Sequence, residues 1–411
     1  MDKNHQKLVE LLSSAIHNQP SEEKLDYSID ETIDWNYIFE EAVAHQVHAL
    51  LFPVISKLKS GQGPDSSLMS RWQDVTLYSA ITQIQHIQQL SEVLDKFHQY
   101  SIPVIALKGI IIRECYPEAE LRTMGDADIL IHKEDLDKVD QLLTQFNYVK
   151  GEADLKHIGY NHKLLPSIEV HLSLMDEEKF TYSKDFTDSV WDHAVITQVN
   201  GSTTLTLSPE DQVLHLILHM AQHMKSSGFG LRQLCDFTLF VEKNIDQINW
   251  LYLSKNTERY IVTQFSNTIF AVCNRLFQLK IPELFNKQSI VNSPYIDELI
   301  SDIITGGVFG KRGEERIIGA RMMNYIEDKP SEAATEGIRR VCTFAFPSYR
   351  KLNLRYGYAK KHPVLLPLAW LHRFIYNLSR KNMITYLKTT ISTNKNSTFE
   401  KRSKLLRWLE L

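Results

Sequence analysis

Two acidic residues lie two positions apart in a run that alternates acidic and apolar residues. Asp126 and Asp128 belong to GDADILIH, and this pattern predicts a β-strand over residues 125–132. Alternate residues of a strand project from the same face of a sheet. Two carboxylates held close together disfavour joint ionisation unless a cation lies between them. The spacing therefore favours Mg²⁺, which binds proteins through one or two carboxylates together with substrate phosphates.

A later run repeats this geometry. Glu169 and His171 alternate with apolar residues in SIEVHLSL, which is a predicted strand over residues 167–174. Burying Glu169 in an apolar strand is costly unless a cation or another partner compensates its charge. A third carboxylate near Asp126 and Asp128 would complete a two-metal site, which stabilises both the attacking and the leaving oxygen of an in-line displacement. We therefore predict these three acids as catalytic metal ligands.

A basic residue and a glycine nearby are suited to bind phosphate. Lys108 and Gly109 end the predicted strand at residues 101–109. Glycine lets a phosphate approach the backbone, and a lysine supplies a point charge. An ordinary turn with a solvated lysine is the alternative. Arg122, four residues before Asp126, is suited either to contact phosphate or to pair with an acid.

A row of histidines lies further along the chain. His215, His219 and His223 are spaced by four and share one face of a predicted helix. The HExxH motif of zinc proteases is absent, because methionine follows His219. Metal or phosphate binding remain alternatives to buried interface histidines. Arg232 and Asp236, also four apart, predict an intrahelical ion pair or a wall of a nucleotide pocket.

The elements that must position these residues change type along the chain. Helical periodicity is followed by short apolar runs, with HKLLP at residues 162–166 as a further predicted strand, and helical periodicity returns from Ser208 to about residue 330. This order predicts an α+β fold, with a small mixed sheet that has helices on one face, embedded in a mostly helical protein. We expect a helical region at 1–97, an α+β core at 98–205, a central helical region at 206–338 and a basic helical tail at 339–411.

Charge divides the chain into an acidic body and a basic end. Residues 339–411 carry 16 Lys and Arg against two acids, a net charge of +14, which leaves −18 for residues 1–338. The basic segment either packs across the acidic body or meets an anionic substrate, RNA or a membrane surface. Residues 364–381 are apolar, aromatic and basic, which suits a buried helix or an interfacial one.

Composition sets wider limits. With 43% hydrophobic and 23% charged residues, the chain is typical of a globular protein and is not disordered overall. Its four cysteines are widely scattered, which argues against a disulfide framework. We see no secretory signal and no apolar run of spanning length, so the expectation is a cytoplasmic protein.

Residues 102–149 resemble the uncharacterised nucleotidyltransferase family of the DNA polymerase β-like nucleotidyltransferase superfamily. That family has a strand ending in Leu-Lys-Gly, then an arginine, Gly-Asp-x-Asp and a later Glu-x-His strand. The resemblance covers roughly residues 30–380. The matching residues here are Leu107, Lys108, Gly109, Arg122, Gly125, Asp126, Asp128, Glu169 and His171.

The resemblance implies a nucleotidyltransferase fold and transfer of a nucleoside monophosphate from an NTP, with pyrophosphate leaving. Asp126 and Asp128 would hold two Mg²⁺ ions, and Glu169 would ligate the metal nearest the acceptor and help to activate its hydroxyl. Lys108 and Gly109 fall where the superfamily at large usually has Gly-Gly or Gly-Ser. The predicted binding residues for nucleotide or acceptor are Lys108, Gly109, Arg122 and His171.

The sequence specifies the acceptor substrate less closely than the rest of the predicted reaction. Because the body of the chain is acidic, we expect the hydroxyl of a small molecule, sugar or peptide. A tRNA- or RNA-directed nucleotidyltransferase is the alternative that the basic tail favours. A nucleotide-binding protein without catalysis is another alternative. The sequence also leaves open a peripheral contact of the basic tail with a membrane.

Overall fold

The computed structural model is a mixed α+β protein, which confirms the predicted fold class. Helices surround one seven-stranded sheet in which parallel and antiparallel neighbours are combined. The structure describes residues 1–17, 33–153, 157–175, 183–310, 346–349, 352, 354–378 and 397–411.

Four helices precede the sheet. Three of them begin after an aspartate whose side chain accepts a hydrogen bond from a backbone N–H of the first turn. Asp34 caps α2, since its Oδ1 accepts from the backbone N–H of Tyr37 at 3.0 Å. The four helices are α1 (Lys3–Ile16), α2 (Trp35–Ala44), α3 (His48–Ile55) and α4 (Ser66–Gln99).

The sheet is built around two central strands that carry the acidic motif and the lysine. Its strands are β1 (Val104–Ala106), β2 (Asp126–Ile131), β3 (Val149–Ala153), β4 (His157–Asn161), β5 (Ser167–His171), β6 (Val195–Val199) and β7 (Ser202–Thr206). They lie in the order β3-β4-β5-β2-β1-β7-β6. β2 is antiparallel to β1 and parallel to β5, and β1 is parallel to β7.

Twelve further helices surround the sheet within the described residues. The helix α8 begins where helical periodicity was expected to return: the hydroxyl of Ser208 accepts from the backbone N–H of Asp211 at 3.3 Å, and Pro209 opens the helix. The predicted helices at 311–330 lie outside the described residues. The twelve helices are α5 (Gly109–Ile112), α6 (Leu136–Gln145), α7 (Ser183–His193), α8 (Pro209–Ser226), α9 (Leu231–Asn244), α10 (Trp250–Arg259), α11 (Thr263–Phe277), α12 (Gln288–Val291), α13 (Tyr295–Gly306), α14 (Gly357–Lys361), α15 (Leu366–Leu378) and α16 (Ser397–Trp408).

Apolar residues cover both faces of the sheet, so the expectation of helices on one face only was wrong. Ala127 and Ile129 of β2 pack in one core with residues of α4 and α6. Ile105 of β1 and Leu130 of β2 face the opposite side and join a larger core with residues of α1, α8 and α9. The reason is that the surrounding helices are numerous enough to enclose the sheet from both sides.

One predicted strand was placed too late in the sequence. Residues 162–166 are not a strand, because the paired segment is β4, which ends at Asn161. Nδ1 of His162 accepts from the backbone N–H groups of Leu164 and Leu165 at 3.1 Å each, and this contact closes a turn. Leu164 is exposed there, so its apolar side chain did not indicate a buried strand.

Three strands were not predicted at all, namely β3, β6 and β7. The β6–β7 hairpin turns at Asn200–Gly201, where φ is +48° and +85°. Asn-Gly with positive φ at both positions is the signature of a two-residue hairpin turn, and it was present in the sequence. β6 was hard to recognise because much of it is exposed and it lies at the sheet edge.

The C-terminal helix α16 returns to the body of the protein. Leu405 and Leu409 are buried in the large core, and Arg402 pairs with Asp302 of α13 at 2.6 Å. Among the described residues, no helix has both the length and the apolar character that crossing a bilayer demands.

Candidate active site

The acidic motif begins the central strand β2. Asp126 and Asp128 project from the face opposite Ala127, which is buried in the apolar core with α4 and α6. In the parallel pairing of β2 with β5, Asp128 is opposite Glu169. The register, and not the local sequence, therefore brings the third acid beside the motif.

Three side chains converge at this point of the sheet. Nε2 of His171 lies 2.6 Å from Oδ1 of Asp128 and 3.7 Å from Oε2 of Glu169. The donor atoms of the three residues all lie within 4.8 Å of one another. Asp128 and His171 are buried, whereas the Glu169 side chain is 30% exposed. The cluster is thus open to solvent on the Glu169 side.

Asp126 lies at the same end of β2 but does not belong to this cluster of donor atoms. It is the exposed first residue of the strand. Partial desolvation and the nearby Asp128 carboxylate raise the pKa of Asp126 above its usual value. The two aspartates therefore differ, since one is buried and paired while the other borders the solvent.

Lys108 follows β1 and reaches the same carboxylate. Its Nζ donates to Oδ1 of Asp128 at 3.2 Å. Burial alone would raise the pKa of Asp128, but Lys108 and His171 outweigh this effect and hold the pKa well below its usual range. Asp128 is accordingly an anion at neutral pH, held by one lysine and one imidazole.

The backbone of Lys108 adopts φ +44° and ψ −114°, a region that favours glycine. Gly109 follows at the start of α5. A Cβ at position 109 would overlap the guanidinium of Arg122 and the sulfur of Met124, so this glycine is required by packing. The predicted contact of Gly109 with phosphate stays a prediction.

Arg122 pairs with an acid, which is one of the two alternatives that its position suggested. Its Nε and one terminal nitrogen donate to the two carboxylate oxygens of Asp236 at 2.8 and 2.7 Å. Tyr116 donates its hydroxyl to the same carboxylate at 2.7 Å. The Arg122 side chain is 5% exposed. Desolvation disfavours its charge, but Asp236 more than compensates and raises the pKa of Arg122.

Of the two alternatives predicted for Arg232 and Asp236, the ion pair was wrong, and the wall of a nucleotide pocket stays a prediction. Arg232 instead donates to the carbonyl oxygen of Thr123 at 2.9 Å and to the side chain of Gln46. Burial and, secondly, the charge of Arg122 lower the pKa of Arg232. Asp236 prefers Arg122 because the two planar groups meet in a bidentate arrangement that an i, i+4 contact on one helix does not supply.

Sequence reasoning missed one residue beside the cluster. Nε2 of His157 lies 3.8 Å from Oε2 of Glu169, and its ring lies 5.3 Å from that of His171. His157 stands opposite His171 in the antiparallel pairing of β4 with β5. The strand that carries it was placed five residues too late, and this error hid the position.

The histidine row on α8 is separate from the cluster of Asp128, Glu169 and His171. Nε2 of His219 and Nε2 of His223 are 3.2 Å apart, whereas His215 is buried. Among the described residues, three or more His, Cys, Asp or Glu donor atoms converge only in the cluster on the sheet. Metal or phosphate binding by these histidines stays untested.

Comparison with known proteins gives the family. Residues 31–278, more than half of the chain, match a family described as uncharacterised nucleotidyltransferase. The chain belongs to this family. The protein is therefore a transferase enzyme, and the resemblance read from the Lys-Gly and Gly-Asp-x-Asp motifs is confirmed. No curated protein sequence matches the chain.

Two solved structures are similar to parts of the chain. One is the solution structure of the antibiotic-resistance factor ANT(2'')-Ia, with 10% identity, a TM-score of 0.34, and coverage of 44% of this chain and 95% of that one. The other is a crystal structure of an antigenic nucleotidyltransferase-like protein from Paracoccidioides brasiliensis. It shows 15% identity, a TM-score of 0.31, and coverage of 51% of this chain and 97% of that one.

The clustered side chains fit a divalent cation. Six-coordinate Mg²⁺ has ligand atoms at about 2.1 Å, so neighbouring ligands are about 3 Å apart and opposite ones about 4 Å apart. The donor atoms of Asp128, Glu169 and His171 fall within 4.8 Å of one another, so side-chain movements of less than about 1 Å would bring them to the separations of bound ligands. Two carboxylates and one imidazole also form a plausible donor set for Mn²⁺ and other transition metals.

Proposed function

We propose that this protein is a Mg²⁺-dependent nucleotidyltransferase that moves a nucleoside monophosphate from an NTP to an acceptor hydroxyl and releases pyrophosphate. The observation that carries the proposal is the convergence of Asp128, Glu169 and His171 beside Asp126 and Lys108, in a chain of the nucleotidyltransferase family. Carboxylates on neighbouring strands with a lysine at their edge suit a metal-bound polyphosphate.

Each residue of the site has a proposed role that follows from its position. Asp126, Asp128 and Glu169 would hold divalent cations, which when bound neutralise charge on the phosphates and lower the pKa of a coordinated hydroxyl. Lys108 stands 3.2 Å from Asp128 and would move its charge to a phosphate oxygen when the nucleotide enters. Nε2 of His171 lies 2.6 Å from the Asp128 carboxylate and would turn to the cation as a further ligand.

In the transfer itself, the acceptor oxygen forms a bond to the α-phosphorus. The bond from that phosphorus to the bridging oxygen breaks, and pyrophosphate leaves with the electron pair. The acceptor proton passes to Glu169, whose side chain is 30% exposed and can return the proton to solvent. This assignment of the base agrees with the position of Glu169 at the open side of the cluster.

We propose the hydroxyl of a small molecule, sugar or peptide as the acceptor. The net charge of −18 over residues 1–338 disfavours a polyanionic acceptor such as RNA near the site. An RNA acceptor is the second candidate, because residues 339–411 carry +14.

The proposal is tested by incubating the purified protein with α-labelled NTPs, Mg²⁺ and a cell extract. We expect label in a product and pyrophosphate in solution, and loss of both by at least 100-fold in Asp128→Asn. Asp137→Asn changes an exposed aspartate outside the site and serves as the matched control. No product from the wild type, or equal product from Asp128→Asn, would contradict the proposal. Digestion of the product with ribonuclease separates an RNA acceptor from a small one.

A further inference from the structure

The helix α15 and the turn before it leave an apolar stripe exposed to solvent. The residues of this stripe recur every three to four positions, so they share one side of the helix. No described residue covers them. They are Val364, which is 90% exposed, and Leu368, Leu371, Phe374 and Ile375, which are between 55% and 57% exposed. We call this set the α15 apolar face.

The opposite side of α15 packs against residues that precede it in the chain. Ala369 is fully buried in a small core with Leu352, Tyr356 and Ala359. The indole N–H of Trp370 donates to the carbonyl oxygen of Pro347 at 2.9 Å. Ala369 and Trp370 thus contact residues that precede the helix in the chain, whereas the residues of the α15 apolar face are exposed.

The segment that carries this face is basic. Arg355 and Lys361 are exposed in the described part of the segment, and Arg355 lies over the ring of Tyr376 at 3.9 Å. Residues 339–411 carry a net charge of +14. Among these basic residues, Arg402 forms an ion pair with Asp302 within the protein. The sequence left a buried and an interfacial helix open for this segment, and the exposed stripe favours the interfacial one.

We propose that the α15 apolar face docks on a membrane surface rich in anionic phospholipids. The apolar side chains would enter the boundary between headgroups and acyl chains, and the basic residues of the same segment would contact lipid phosphates. A protein partner would be matched by an apolar face alone, whereas the combination with a strong positive charge matches an anionic bilayer. With 13 residues, α15 is too short to span the bilayer and would lie along it.

Co-sedimentation of the full chain with lipid vesicles tests this proposal. We expect binding to vesicles of phosphatidylcholine mixed with phosphatidylglycerol, at least tenfold weaker binding to phosphatidylcholine alone, and weaker binding at 0.5 M NaCl. Leu371→Glu should reduce binding to the anionic vesicles by at least tenfold. Ile81→Glu is the matched control, because Ile81 is a similarly exposed apolar residue on the distant helix α4.

Three results of these experiments would overturn the proposal. A wild type that ignores anionic vesicles, or a Leu371→Glu variant that binds them as the wild type does, would contradict it. A dimer in solution that Leu371→Glu dissociates would assign the face to a second copy of the chain. Nucleotidyl transfer is expected to be the same in Leu371→Glu and the wild type, so this experiment is independent of the proposed function.

Discussion

Nζ of Lys108 lies 3.2 Å from Oδ1 of Asp128, while the Lys108 backbone occupies a conformation, φ +44° and ψ −114°, that favours glycine. Such a conformation costs a residue with a side chain about 1–3 kcal/mol. The superfamily at large usually has glycine at this turn. We therefore predict that the charge of Lys108 beside Asp128 serves nucleotide binding and not stability.

Two substitutions separate the strain at position 108 from the charge. Both Lys108→Gly and Lys108→Ala remove the partner of Asp128, but only glycine also relieves the backbone. We expect Lys108→Gly to be more stable than Lys108→Ala by about 1 kcal/mol in urea denaturation. Both should weaken NTP binding by roughly tenfold through loss of the point charge. Equal stability of the two variants would show that the backbone of residue 108 is not strained.

Much of this site could be predicted because its chemistry is local. The alternation around Asp126 and Asp128 and the apolar flanks of Glu169 are sequence features, and the strands that carry them are present. The pairing of Asp128 with Glu169 depends on the register of β2 and β5, which local pattern does not fix. His157 was missed for the same reason, since its place beside Glu169 depends on β4, an antiparallel strand whose position was misjudged.

The imidazole in the cluster leads to a prediction about metal preference. Nitrogen ligands favour Mn²⁺ over Mg²⁺, so the wild type should bind Mn²⁺ at least tenfold more tightly in calorimetry. His171→Asn should reduce this ratio. His157→Asn is the control, because the His157 ring contacts Glu169 only at 3.8 Å. Mg²⁺ remains the cation of the proposed reaction because selection in cells follows metal availability as well as affinity. An unchanged ratio in His171→Asn would exclude His171 as a ligand.

A third prediction concerns the stability that the buried pair of Arg122 and Asp236 provides. Asp236→Ala would leave the Arg122 guanidinium buried without its bidentate partner, and we expect a loss of about 3–5 kcal/mol in the free energy of unfolding. Tyr116→Phe removes one hydrogen bond to the same carboxylate and should cost about 1 kcal/mol.

The exposed ion pair of Asp185 with Arg259 provides the comparison. Its two atoms lie 2.8 Å apart, but both side chains are about half exposed. Asp185→Ala should therefore change the free energy of unfolding by less than about 1 kcal/mol. If Asp236→Ala were no more destabilising than Asp185→Ala, the buried pair would have no structural role. Urea denaturation followed by circular dichroism measures all three variants.

This buried pair also marks the limit of prediction from sequence. Asp236 was paired with Arg232 because the two are four residues apart on one helix, and such contacts are the ones a periodic pattern reveals. The true partner, Arg122, is 114 residues away. Nothing in the sequence around either residue encodes that contact, because it follows from the packing of α9 against the turn that precedes β2.

A further prediction concerns acid stability and rests on His86 of α4. Its side chain is buried, and neither ring nitrogen has a hydrogen-bond partner among the described residues. Burial, and secondly the charge of Arg113, lowers the pKa of His86 to about 4. In the unfolded chain the pKa of histidine is about 6.5, so as the pH falls the unfolded state takes up a proton first.

Protonation of the unfolded chain therefore lowers the free energy of unfolding as the pH falls from about 6.5 to about 4. Above pH 6.5 this loss is absent. Lowering the pH from 7.5 to 5 should cost about 2 kcal/mol through this group alone. His86→Leu cannot be protonated, so the loss of stability on acidification should shrink by that amount in urea denaturation at the two pH values. His98→Gln, an exposed histidine on the same helix, should leave the loss unchanged. An equal loss in His86→Leu and the wild type would mean that burial does not lower the pKa of His86 in the folded protein.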